Sequence, residues 1–167
     1  MKKLAISQAL AALASARVLE CDHASRGFHL SVAVAPLELP AAAKILDQQG
    51  FFIEAITGVD WLGEQAAPGP TVADQAEHQP PLPSEDSFEV VYDFNHFAKL
   101  CRVALRTRMP RSRPEIPTIS AIYPGANWHE RETHDFFGII FSDHPDLSPL
   151  LLPEDADFHP LCKDYKP

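Results

Sequence analysis

The chain has 167 residues, 46% of them hydrophobic, which is enough for one domain with a sizeable core. Its 14 basic against 23 acidic residues give a formal net charge of −9, which repels a phosphate backbone and argues against nucleic acid as a partner. Cys21, Cys101 and Cys162 lie too far apart for a disulfide framework or the clustered thiolates of an iron–sulfur or zinc site, so the chain reads as having no redox centre of its own, in a reducing compartment.

In chain order, the first stretch is rich in alanine and leucine. Ala14–Ala16 has the small-x-small form of a signal-peptidase site, but Ser7 and Gln8 interrupt the apolar run, while Leu4, Ala11 and Val18 recur at helical spacing beside Leu10 and Ala14. The reading is a packed first helix. No stretch approaches the roughly 18 apolar residues of a membrane span, so any membrane association is expected through partners. From Phe28 to Val34 the pattern alternates, with Phe28, Leu30, Val32 and Val34 on one face of a half-buried strand. Pro40 then opens a helix with Ala42, Ile45 and Leu46 inward, which Gly50 ends, and residues 51–61 form a second strand. Strand, helix and strand with short links resemble half of a split βαβ unit.

Residues 62–86 are rich in proline and lack an apolar period, which predicts a mobile surface loop, with a recognition arm as the alternative. Ser87–Phe94 and Ala98–Arg108 both alternate and predict an antiparallel hairpin turning at Asn95–Phe97. Cys101, Val103, Leu105 and Thr107 form its expected core face. Arg102, Arg106 and Arg108 make a cationic strip, read as a solvated face or as a docking strip for an acidic partner. Residues 109–117 are extended and proline-rich, after which Ile119, Ala121 and Tyr123 are expected against the sheet.

The most informative stretch is Trp128–Gly138. Asn127 is a candidate cap, with Glu130 reaching back to its backbone N–H, and Gly138 is a left-handed terminator. Helical spacing groups Trp128, Glu132, Asp135 and Phe136 on one side and Glu130, Arg131, His134 and Phe137 on the other, so neither side is simply apolar or simply polar. His129 and His134 are five apart, where a zinc-binding helix places its histidines four apart, which argues against a metal site. Two readings remain: a solvated helix with pairs Glu130–His134 and Arg131–Asp135, or a helix buried against something polar. Beyond it, short apolar clusters such as Leu150–Leu152 lack periodicity and are expected to be pinned to another protein.

The run Glu130–Ile139, followed by His144–Leu147, Leu150–Asp155 and His159–Tyr165, resembles the signature of the 30-kilodalton (30 kDa) subunit family of respiratory complex I, the NADH:quinone oxidoreductase, shared with membrane-bound [NiFe] hydrogenases. Ser148–Pro149 stands where that family usually has arginine, Phe158 where it has glycine, and Cys162 where it has arginine. The resemblance implies an α+β single domain with an N-terminal helix, a mixed or antiparallel four-stranded sheet packed by helices, and an irregular C-terminal extension. Residues 1–125 would be the core and 126–167 the signature helix and partner-binding extension. It also implies a non-catalytic assembly subunit that binds no cofactor and docks on the large hydrogenase-like (49 kDa-type) subunit beside an iron–sulfur subunit. Iron–sulfur clusters, and quinone or a NiFe centre, would lie in those partners, peripheral to the cytoplasmic face of the membrane. On matching positions, Glu130, Arg131, Glu132, Asp135 and Phe136 would fix the C-terminal third, while His144, Glu154, Asp155, His159, Lys163 and Asp164 would dock on the large subunit. A quinone-linked dehydrogenase is the leading parent complex. The stop two residues after Tyr165 leans instead toward an energy-converting hydrogenase or formate hydrogenlyase.

A catalytic alternative must bring nucleophile, base and stabiliser together. Glu132 with Asp135, and His134, His144 or His159 as bases, would be its parts in a small stand-alone hydrolase. No serine elbow, phosphate-binding glycine loop or dinucleotide fingerprint accompanies them.

Overall fold

The structure, a computed structural model, describes residues 2–64 and 86–166, with side chains from residue 5 onward. The prediction for 62–86 therefore lies, except at its ends, outside the described residues.

Helix α1 (Lys2–Ala11) packs through Ile6 and Leu10, and the expected stripe through Ala14 and Val18 is not part of it. Strand β1 (Arg17–Glu20) follows, then a single helical turn α2 (His23–Arg26) capped by the Asp22 carboxylate. Strand β2 (Leu30–Ala33) leads through a 3-10 turn (Pro36–Glu38) into helix α3 (Leu39–Gln48), which buries Leu39, Ala42, Ala43 and Leu46. Strand β3 (Phe52–Asp60) comes next, then the hairpin β4 (Ser87–His96) and β5 (Cys101–Pro110). The hairpin turns at Phe97–Leu100, later than predicted, with Leu100 at φ 46°.

These strands form one five-stranded sheet in the order β1-β2-β5-β4-β3. β2 runs parallel to β5, while β3 and β5 run antiparallel to β4. β2 and β3 are therefore parallel, joined through α3, with the hairpin inserted between them, which completes the split βαβ unit. The four-stranded expectation falls short because it missed β1, four residues directly after a helix-forming run, paired antiparallel with β2.

One face of the sheet is apolar. Across β4 and β5, Phe88 faces Met109, Val90 faces Thr107, Tyr92 faces Leu105 and Phe94 faces Val103, and Leu30 and Val32 continue that layer on β2. The other face carries the arginine strip, which neither lies free in solvent nor waits for an acidic partner. Glu54 holds Arg102 at 2.7 Å, and fully buried Glu89 holds Arg106 at 3.4 Å and Arg108 at 3.1 Å. Trp61 donates to Glu89 at 2.8 Å and lies under the Arg108 guanidinium, so each arginine of the strip is paired within the sheet.

Strand β6 (Glu115–Pro117) pairs in parallel with β7 (Ile140–Ser142), and between them helix α4 (Ala126–Phe137) packs against β3. Ile119 and Tyr123 enter the core as predicted, whereas Ala121 is exposed. Ala126, Phe137, Ile139 and Phe141 belong to the same core as the sheet.

Candidate functional site

The signature residues lie on α4 and on the C-terminal strap, residues 143–166, that wraps it. The helix begins at Ala126 with Gly125 at its N-cap and no side-chain cap. The predicted Asn127 cap and Glu130 return contact are therefore absent. The buried positions Ala126, Glu130, Thr133 and Phe137 recur at helical spacing, so Glu130 sits at the centre of the face turned to the core. Gly138 ends the helix at φ 73° as expected; a Cβ there would lie 2.7 Å from the His159 ring.

Glu130 is fully buried and ties three segments together. It accepts from the backbone N–H of Ile119 at 2.9 Å and from the Thr118 hydroxyl, and the buried His144 ring stands 3.7 Å away. His144 also contacts the Asn127 carbonyl at 3.3 Å. Burial pushes the Glu130 carboxyl up to about 7, against the pull of its contacts with Ile119 and Thr118. The buried Tyr92 hydroxyl makes no hydrogen bond among the described residues, and burial together with the Glu130 charge raises its pKa well above the usual phenol value.

Asp135 fixes the strap. Its Oδ2 accepts from the backbone N–H groups of Leu150 and Leu151 at 2.8 Å and of Leu152 at 3.2 Å. Burial raises its carboxyl, but those three amides, helped by His134, outweigh burial and hold it below the ordinary value. One turn earlier, Arg131 lies over the Trp128 ring and donates to the Ser148 and Pro149 carbonyls, with Asp146 at 3.9 Å. His134 contacts the Ile139 carbonyl at 2.9 Å, and His159 the Asp135 carbonyl at 2.8 Å. The predicted pairs Glu130–His134 and Arg131–Asp135 do not form, because each of these side chains reaches a backbone group of another segment.

The end of the strap is clamped to the sheet. Arg111 bonds Asp164 at 3.1 and 2.8 Å and buried Asp60 at 3.1 Å, while Asp60 also accepts from the Lys163 backbone N–H at 2.8 Å. The Lys163 ammonium pairs with Glu64. Asp60, Cys162 and Asp164 lie close enough together to hold a metal ion, but the cation among them is the Arg111 guanidinium, held protonated by Asp164 and Asp60. These contacts tie the strap to the rest of the chain through the chain's own residues, which the sequence reading did not anticipate. Its exposed surface carries Leu151, Phe158 and Leu161, and Trp128 is exposed on α4. Glu154 and Asp155 are also exposed and form no ion pair among the described residues.

The family model described as the 30 Kd subunit of respiratory-chain NADH dehydrogenase matches residues 32–167. The chain belongs to this family. Among its relatives, the C-subunit of the NADH-quinone oxidoreductase of Roseiflexus castenholzii is 37% identical over 139 residues, covering 81% of this chain and 68% of the relative. The C-subunit of the F(420)H(2) dehydrogenase of Methanosarcina mazei is 42% identical over 85 residues, covering 50% of this chain and 54% of that one. The trypsin-resistant fragment of Nqo5 shares the fold at a TM-score of 0.62 and 25% identity, over 87% of this chain and 97% of that chain. A chain of an archaeal respiratory membrane complex, the membrane-bound sulfane sulfur reductase, superposes at a TM-score of 0.73 over 99% of this chain and 85% of its own, with 23% identity.

Within this 30 kDa-subunit fold, the signature residues separate by environment. Glu130, Asp135 and the His144 ring are buried anchors; Arg131, His159, Lys163 and Asp164 are engaged within the chain; Phe136 is half-buried beside Leu161. Sequence reasoning missed Thr118, Asp60 and Arg111. Thr118 and Arg111 stand just outside strands in proline-rich surroundings that read only as extended chain. Asp60 meets Lys163 across 103 residues, a pairing that no local pattern signals. No described helix is long and apolar enough to cross a membrane.

Proposed function

We propose that the chain is the 30 kDa-type component of a complex I-like quinone-linked dehydrogenase and serves as a non-catalytic assembly subunit. It would use its strap face to dock on the large hydrogenase-like subunit, close to an iron–sulfur subunit. The observation that carries this reading is the strap, whose polar groups turn inward onto α4 while Leu151, Phe158, Leu161, Glu154 and Asp155 turn outward. An irregular segment fixed by so many internal hydrogen bonds is pre-ordered, which lowers the entropy cost of association. The exposed leucines and phenylalanine supply an apolar contact, and the unpaired carboxylates supply register through charge. Quinone, NiFe and iron–sulfur chemistry would remain in the partners, with the assembly peripheral to the cytoplasmic face of the membrane.

Affinity purification of the tagged full chain from its own cells tests this. Co-purification of a large subunit with a quinone site and of an iron–sulfur subunit, lost on Leu151→Asp with Leu161→Asp, is the expected result. A nickel-binding large subunit would assign the chain to a hydrogenase instead, and a solitary chain would overturn the subunit role.

A further inference from the structure

The two edges of the five-stranded sheet are unequal. At one edge, β1 has four residues, two of them the charged Arg17 and Glu20, the usual protection of an edge strand. At the other edge, β3 has nine residues and carries neither lysine, arginine nor proline. A register shift at Glu54 bulges its start, but from Ala55 to Asp60 it pairs regularly with β4. Among the described residues, no backbone N–H or C=O of Ala55–Val59 bonds to anything but β4. In an antiparallel ladder, alternate residues of an edge strand direct both groups outward, so β3 presents a row of unused donors and acceptors.

Beside that row runs a cleft of about 330 Å³ between β3 and α4. It is lined by four successive β3 residues, Ala55 to Gly58. Side chains alternate between the two faces of a strand, so a cavity lined by four in a row follows the backbone edge. The rest of its lining comes from α4, including His129, Glu132 and Phe136, and from Leu161 of the strap. Glu132 makes no hydrogen bond or ion pair among the described residues. Among the described residues it is the one signature acid on α4 without a partner.

We propose that the β3 edge receives an extended segment of a partner subunit as an added strand. That segment would carry an apolar side chain into the cleft and a lysine or arginine beside Glu132. Main-chain hydrogen bonds would supply affinity, and the cleft with its carboxylate would supply selectivity. The proposal rests on the subunit role only in taking its partner from the same complex; of the outward strap residues Leu151, Phe158 and Leu161, only Leu161 also lines this cleft.

Amide hydrogen exchange on the full chain alone and within the purified complex tests it. The outward-facing amides of 55–59 should exchange quickly in the free chain and at least about tenfold more slowly in the complex. Glu132→Lys should reduce co-purification of the partner and restore fast exchange at 55–59, while slow exchange in β4 shows that the variant is folded. Unchanged exchange at 55–59, with amides of 148–164 newly protected in the same complex, overturns the added strand and leaves the subunit role standing. Slow exchange already present in the free chain, with a dimeric mass, assigns the edge to a second copy and overturns the proposal. If no complex can be isolated, both readings fail.

Discussion

Arg111 grips the carboxylate of Asp164 through two nitrogens, at 3.1 and 2.8 Å, joining the end of the strap to the sheet across 53 residues. The same guanidinium neutralises Asp60, whose side chain is only 2% exposed. The two contacts are unequal in energy, because Asp164 is mostly in solvent and Asp60 is not. Arg111→Ala should therefore cost about 3 kcal/mol by stranding a buried carboxylate, and Asp164→Ala less than about 1 kcal/mol. Urea unfolding of the two single variants and the double variant measures both values and their coupling.

Asp135→Ala should cost about 3 kcal/mol, since three backbone N–H groups lose a charged acceptor together. Exchange at Leu150–Leu152 should rise well before global unfolding. Because the carboxyl is held below its ordinary value, its contribution is complete above the unfolded pKa and is lost as pH falls through the folded one. In the wild-type chain the strap should loosen in acid before the sheet melts, which exchange at low pH would detect.

Glu130 has the opposite sign. A carboxyl raised from 4.5 to about 7 holds its proton in the folded chain where the unfolded chain has already released it. Its contribution is complete below about 4.5 and is lost as pH climbs through about 7. Glu130→Gln should remove about 3 kcal/mol of this pH dependence, read from unfolding curves on either side of that window.

Gly58→Ala tests the seat of α4 on β3. A Cβ at this position would lie 2.5 Å from the Phe137 ring, a rigid neighbour that must shift as a unit. The expected cost is about 2 kcal/mol, checked by the thermal midpoint. The same substitution at exposed Thr57 should be nearly neutral.

Arg131→Ala strands no carboxylate, because its acidic neighbour Asp146 is mostly exposed and 3.9 Å away. The loss is of hydrogen bonds to the Ser148 and Pro149 carbonyls, about 1 kcal/mol, with faster exchange around Ser148 as the readout.

The sheet was legible in the sequence wherever a strand alternates over many residues, as in β4 and β5, and wherever proline and glycine bracket a helix, as in α3. Strand β1 was hidden because Val18 and Leu19 fit the helical spacing of the preceding residues equally well. Residue typing left Glu130 open between a solvated pair and a polar burial, because pattern reading sends charge to solvent, whereas here the charged position is the middle of the packed stripe. The tail looked unable to hold itself, since its anchors are main-chain groups met by Asp135, Arg131 and Asp60. Main-chain groups carry no sequence signal. The family resemblance implied roles for these residues but not their environments, so the His144 ring, buried in the structure, was expected at a docking surface.

The insertion of the β4–β5 hairpin between β2 and β3 has a consequence for the chain as it is being made. Leu30 pairs with Val103 and Phe52 with Asn95, so the first sixty residues contain two parallel strands with nothing between them to bridge their ladders. Until Cys101–Pro110 has left the ribosome, the leucines of β2 and α3 have no sheet to cover, and closure must await that late ribbon. The nascent polypeptide would then keep those leucines uncovered until that ribbon emerges, and truncation anywhere before residue 110 should leave an aggregating product in place of a smaller folded one.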